Sequence, residues 1–192
     1  MPAGATPLDP DESAGLLPGH IATREQLDEW EAENILEGQR WAASAAKRRD
    51  ILEDAFLREL HRRMFGRTWK WTGSYRATEK NLGVAPARIA EEVRQLLENT
   101  RAQIAAKVAP IDEIAARLHH RLVWIHPFAN GNGRHARALT DLLLAANGAE
   151  PFTWGRGELE HAGEARERYL AALRAADARD FSRLLAFVRS AG

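Results

Sequence analysis

Cysteine is absent from the 192 residues, which removes disulfide bridges, thiolate nucleophiles and thiolate-bound metals together. Excess charge is absent as well. Lys and Arg number 27 against 27 Asp and Glu, so no bulk field argues for nucleic acid or an anionic membrane surface as a direct partner, and any anion site has to be local. No apolar run approaches the roughly 18 residues of a membrane-spanning helix. No basic stretch followed by an apolar run opens the chain, so no signal peptide is expected. The expectation is one domain, working in the cytoplasm, because the length suffices for one full core and is short for two.

Helix signals dominate what is there. Pro2, Pro7, Pro10 and Pro18 with Gly4, Gly15 and Gly19 make residues 1–20 read as an extended N-terminal arm. Thr23 and Gln26 form a capping-box pair ahead of a polar-rich helix over Gln26–Glu37. Asp50 is placed to cap a helix with Ile51, Leu52, Ala55, Phe56 and Leu60 on one face. Pro86 suits the first position of a helix reaching about Asn99. Asp112 suits the cap of another, with Ile114, Leu118, Leu122 and Ile125 at helical spacing. That helix has to stop at His126-Pro127, since a residue before proline is pushed out of helical geometry. A further helix follows Gly133 and ends at Asn147-Gly148, and two more cover about Ala162–Ala176 and Asp180–Arg189. Between Gly66 and Pro86, Trp69, Trp71 and Tyr75 alternate with polar residues among turn formers, which fits a short hairpin or an extended loop. The class is all-α, and residues 21–192 form a single domain.

The chemistry concentrates in His126–Arg137, reading HPFANGNGRHAR. Gly131-Asn132-Gly133 allows backbone conformations that turn successive N–H groups into one concavity. That concavity opens at a helix N-terminus, where donors are unpaired and the dipole favours anions. Arg134 and Arg137 lie three apart on that helix, on neighbouring positions of one face, and guanidinium groups pair with phosphate. His126, on the other side of the turn, has the chemistry of a general base. Each feature alone is more often a turn, a packed ring or a solvated cation; the twelve-residue combination is what points to a phosphate-handling site.

HPFANGNGRHAR resembles the signature of the Fic (filamentation-induced) family, H-x-F-x-[D/E]-G-N-G-R-x-x-R, departing from it only at Asn130. The run from Leu60 to Gly66, then Trp69–Gly73, Tyr75 and Arg76, is similar to the family's approach to its flap, and Tyr169–Arg174 to its closing helices. With Ala5–Glu12 included, the chain resembles a bacterial subgroup called mobile mystery protein B, whose members sit beside a helix-turn-helix regulator. The resemblance implies the Fic fold, a helical bundle with a small β-hairpin flap. It implies transfer of AMP from ATP to a Ser, Thr or Tyr hydroxyl of a target protein, with His126 removing the proton. Gly131, Asn132, Gly133 and Arg134 would hold the α- and β-phosphates and Arg137 the γ-phosphate, and position 130 would bind Mg²⁺. Asn130 is a neutral and weaker ligand than the usual acid. Phe128 is read as a core anchor for the loop.

Lys80, Asn81, Leu82 and Gly83, within Thr78–Gly83, correspond to the flap that holds the target as an added strand. Glu33–Gly38 resembles the family's inhibitory motif, in which the glutamate, here Glu37, pairs with the last signature arginine, here Arg137. His119 and His120 lack the carboxylate cluster of a metal site, and His135 is expected at the solvent. The alternatives are the same site running another nucleotidyl or phosphoryl transfer or removing AMP, and a non-catalytic module that binds ATP or a regulator in a toxin–antitoxin pair.

Overall fold

Thr23 begins the first helix as the capping box requires: its hydroxyl accepts from Gln26 N–H at 3.3 Å, and the Gln26 side chain accepts from Thr23 N–H. The computed structural model describes residues 15–155 and 162–190. Among them run α1 Arg24–Ala45, α2 Asp54–Phe65, α3 Ile89–Ala106, α4 Ile111–Ile125, α5 Asn132–Ala146, α6 Ala162–Asp177 and α7 Ser182–Val188, with a 3-10 turn at Pro86–Arg88 leading into α3. No helix among the described residues is long and apolar enough to cross a membrane.

Packing runs α1 on α2, α3 on α4, α4 on α5 and α6 on α7, with α5 also touching α2. The core lies where these faces meet: Phe56, Leu57, Leu60, Met64 and Phe65 of α2 join Leu118, Leu122 and Ile125 of α4 and Leu139 and Leu143 of α5. Burying such side chains stabilises the fold by roughly 1.5–3 kcal/mol each before chain entropy is subtracted.

Several expected boundaries moved. Helix α1 continues to Ala45 rather than Glu37, because Leu27, Glu31, Asn34, Gly38 and Ala42 recur at helical spacing on its buried face. Asp50 closes a turn onto Leu52 N–H at 2.8 Å, and α2 starts four residues later. Helix α3 runs past Asn99 to Ala106, where Lys107 takes a left-handed conformation. Pro110, not Asp112, precedes α4; Asp112 holds Arg189 instead, at 2.6 and 2.7 Å, tying the end of α7 to the start of α4.

The expected β-hairpin is not formed. An isolated antiparallel bridge joins Leu16 to Trp69, and residues 74–85 are loop. Their polar backbone groups turn elsewhere: Val84 N–H donates to Ile125 O at 3.2 Å, and the carbonyls of Thr78 and Val84 accept from the buried side chain of Arg76. Of the expected arm, residues 15–17 lie along 68–70, with Leu17 N–H on Thr68 O and Lys70 N–H on Gly15 O. Residues 1–14, including Ala5–Glu12, lie outside the described residues.

Candidate active site

Helix α4 ends at His126, whose φ of 53° puts a non-glycine residue in the left-handed region immediately before Pro127. The chain then makes a turn sealed from inside. Phe128 is fully buried, and the Asn132 side chain is taken up by it, accepting from Phe128 N–H at 2.9 Å and donating to Phe128 O at 2.8 Å. The Asn132 amide is therefore a staple of the loop. Gly131 precedes α5 at φ 76°, and a Cβ there would lie 2.7 Å from the Phe65 ring, so both conformation and space require glycine. Beyond it, the N–H groups of Asn132, Gly133 and Arg134 stand in the first turn of α5, where the helix supplies no acceptor.

His61 of α2 holds this turn from below. Its imidazole has no exposed surface and stacks on Phe128 with ring centroids 3.7 Å apart. Gly73 N–H donates to Nδ1 at 3.1 Å, so the proton sits on Nε2, which lies 3.1 Å from Asn130 O. Burial, then the neighbouring His135, keeps its pKa well below the ordinary value. His135 is not at the solvent: it is fully buried against Leu57 O at 2.9 Å, and burial lowers its pKa to about 4. Both rings are neutral packing elements at pH 7.

His126 itself is half-buried. Burial lowers its pKa; contact with the Val123 carbonyl opposes this, and the nearby charges of Arg76 and Lys80 lower it further. The ring is thus neutral at pH 7 and able to accept a proton.

The two signature arginines diverge, although their spacing suggested one face. Arg134 reaches back over Phe65 to form a charged pair with Glu31 of α1. Glu31 is 1% exposed, and its other oxygen accepts from Trp69 Nε1 at 2.7 Å. Arg137 turns toward the C-terminal segment, its guanidinium 5.4 Å from the Trp154 ring centroid and 4.9 Å from that of Tyr169. The Tyr169 hydroxyl bonds His119 Nε2 at 2.8 Å, and this histidine, fully buried, has its pKa lowered to about 3. Glu37, expected on Arg137, instead pairs with Arg67 at 3.0 Å in the open. It points off the buried stripe of α1, and Glu31 lies on it.

Asn130 was the expected metal ligand. Its Oδ1 accepts from Gly131 N–H at 2.6 Å, and among the described residues no group of three or more His, Cys, Asp or Glu could hold a metal ion. A neutral amide already engaged by a backbone donor does not fit a magnesium ligand, which is normally an anionic or freely oriented oxygen. Asn130→Asp is expected to lower the Mg²⁺ concentration that half-saturates nucleotide binding by about tenfold, since it supplies the missing charge. Titrating Mg²⁺ into the protein with ATP in a calorimeter measures this; an unchanged midpoint would show that position 130 does not face the ion.

Lys80, Asn81, Leu82 and Gly83 are exposed in the loop beside His126, Leu82 at 68%. Sequence reasoning missed Glu31, His61, Arg76, Trp154 and Tyr169 at this site. For Glu31 a signal existed: it and Asn34 are polar residues inside the apolar stripe of α1. The others owe their place to contacts across 12 or more residues of sequence, or to a loop whose path no periodicity encodes.

Residues 51–144 match the model of the Fic/DOC family. Protein adenylyltransferase fic-1 of Caenorhabditis elegans is 31% identical over 111 residues, 55% of this chain and 22% of that protein. Protein adenylyltransferase Fic of Nematostella vectensis is 34% identical over 98 residues, 48% of this chain and 23% of that one. The chain thus spans about a fifth of the length of these curated relatives. Among solved structures, a Fic domain containing signaling protein from Bacteroides thetaiotaomicron aligns with a TM-score of 0.69 at 22% identity, over 83% of this chain and 67% of that one. BepC from Bartonella tribocorum, solved with bound AMPPNP, aligns with a TM-score of 0.66 at 19% identity, over 94% and 97%. At these identities the likeness is one of fold.

Proposed function

The chain belongs to the Fic/DOC family, and from that premise we propose that it is a protein adenylyltransferase moving AMP from ATP to a hydroxyl of a target protein. The observation that carries the reading is that one turn joins a half-buried, neutral His126 to the N–H groups opening α5, for which the helix itself supplies no acceptor. His126 takes the proton of the target hydroxyl, whose oxygen bonds to the α-phosphorus. The bond from that phosphorus to the oxygen bridging to the β-phosphate breaks, and pyrophosphate leaves. The first-turn N–H groups of α5 and Arg134 receive the charge that develops on the phosphates, and Arg137 meets the terminal phosphate. The BepC structure, with its bound ATP analogue, supports a nucleotide in a fold of this kind. Magnesium, where bound, would add electrostatic neutralisation of the phosphates; the residues present do not provide for it.

The loop at Lys80–Gly83 is the proposed seat of the target chain. Residues 21–192 act as one Fic domain in this reading. The mobile mystery protein B resemblance extends the proposal to a toxin–antitoxin setting in the cytoplasm, with a helix-turn-helix regulator as neighbour. The resting state is autoinhibited, through Glu31 on Arg134 in place of Glu37 on Arg137.

Incubating the protein with a bacterial lysate and ATP labelled in the α- or the γ-phosphate tests the reaction. Label from α alone on a protein band is the expected result. Label from γ makes the enzyme a phosphoryl transferase, and no label from either, in protein that binds ATP, removes the proposal.

A further inference from the structure

Arg76 is 5% exposed, and its guanidinium is divided among three backbone carbonyls. Nε donates to His126 O at 2.7 Å, Nη1 to Thr78 O at 2.9 Å and Nη2 to Val84 O at 2.5 Å. Its own N–H donates to Pro127 O at 2.9 Å. Burying a cation costs free energy that ordinary packing would avoid. What only this side chain offers is a planar fork whose donors diverge toward acceptors on two separate segments. One segment is the loop over residues 78–84. The other is the left-handed step at His126, whose carbonyl lies beyond the α4 ladder and needs a donor from elsewhere.

The same two segments touch directly. Val84 N–H donates to Ile125 O at 3.2 Å. Gly83 has φ 99°, and a Cβ there would stand 2.6 Å from Arg76 Nη2, 2.7 Å from His126 Cβ and 2.8 Å from Ile125 O. The loop is therefore closed onto the backbone that carries the base, with no room for a side chain between.

We propose that Arg76 is a positioning residue that couples the 78–84 loop to the backbone of His126, so that seating a target chain on the loop and aligning the base are one event. The proposal rests on the reading of His126 as the base and of the loop as the target's seat. If the loop lifts, His126 loses the donor to its carbonyl and the left-handed step is released. The three bonds are a single unit, because one rigid guanidinium makes them all. Arg76 also contributes a positive charge to the surroundings of the ring, alongside Lys80 and against the Val123 carbonyl, so its removal shifts the acid limb of the reaction toward higher pH.

The test uses Arg76→Lys, which keeps the charge and most of the stem but presents a point donor that serves one carbonyl well. Amide hydrogen exchange of the protein is expected to quicken together at residues 78–84 and at His126 and Phe128. AMP transfer is expected to drop at least about tenfold in kcat, with ATP affinity by calorimetry changed less than about twofold, the loss of one to two aligned bonds. In Arg76→Ala, millimolar guanidinium should restore part of the rate, and methylammonium should not. Arg76→Lys at wild-type kcat, or exchange that quickens in one segment and not the other, overturns the coupling. Exchange needs no turnover, so a wild-type protein that transfers no AMP while the variant loosens both segments together keeps the coupling and removes the functional reading instead.

Discussion

Replacing His126 with alanine is expected to reduce AMP transfer by about 10²–10⁴-fold, the usual span for removing a positioned base, and to change ATP affinity little. The separation follows from the proposed division of labour: the N–H groups and arginines of α5 take the phosphates, and His126 precedes them at the end of α4. The pH dependence follows with its sign. Only the neutral ring accepts a proton. Burial first, then Arg76 and Lys80, hold its pKa below the ordinary 6.5 in the folded protein. Activity is therefore retained at pH 7 and falls as the pH drops through that lowered value, placing the acid limb below pH 6.5. Rates of α-label incorporation between pH 5 and 8, with nucleotide binding followed in parallel, check both statements. A variant that transfers AMP near the wild-type rate, or one that no longer binds ATP, would take the role of base away from His126.

Glu31→Gln is expected to raise AMP transfer. Glu31 pairs with Arg134 from a site that water does not reach, and in the proposed reaction ATP has to displace it to use that guanidinium. A charge-assisted pair of this kind contributes about 1.5–3 kcal/mol, or about ten- to a hundredfold in productive binding. Because the Arg134 side chain is 38% exposed, solvent screening favours the lower end. Glutamine is the informative change: its amide oxygen still accepts from Trp69 Nε1, whereas alanine would leave that buried donor unpaired at a cost of about 1–3 kcal/mol and confuse release with unfolding. Glu37→Gly serves as the contrast. The Glu37–Arg67 pair is about half exposed on both sides, so its loss should leave transfer unchanged. Label incorporation and calorimetric ATP affinity for the three proteins decide the matter. A Gln variant that binds ATP no better and transfers less would mean that Glu31 orients Arg134 for the reaction and does not withhold it.

Much of this molecule is legible in its sequence. The seven helices among the described residues follow from apolar periodicity, from the Thr23–Gln26 cap and from prolines and glycines at their ends, all interactions within four residues of chain. The turn at His126–Arg137 was legible for the same reason: Pro127 stops one helix, Gly131 permits the next to begin, and the resulting open N–H groups are a local consequence of backbone geometry. Local rules say nothing about what faces the turn from elsewhere. Glu31 and Glu37 lie on one helix with similar surroundings in sequence, yet 100° of rotation per residue buries one beneath Arg134 and leaves the other on Arg67 in solvent. Arg134 and Arg137 share a helix face, but α1 stands beside the first and Trp154 and Tyr169 beside the second, and those neighbours pull the two guanidinium groups apart. The flap was expected as a hairpin because alternation and turn formers favour one. A buried arginine 50 residues from His126 supplied the loop's carbonyls with donors, and a second strand was not needed. Elements and turn were set by neighbours along the chain; partners of charged and polar groups were set by packing, because a buried charge takes whichever partner the fold brings within reach.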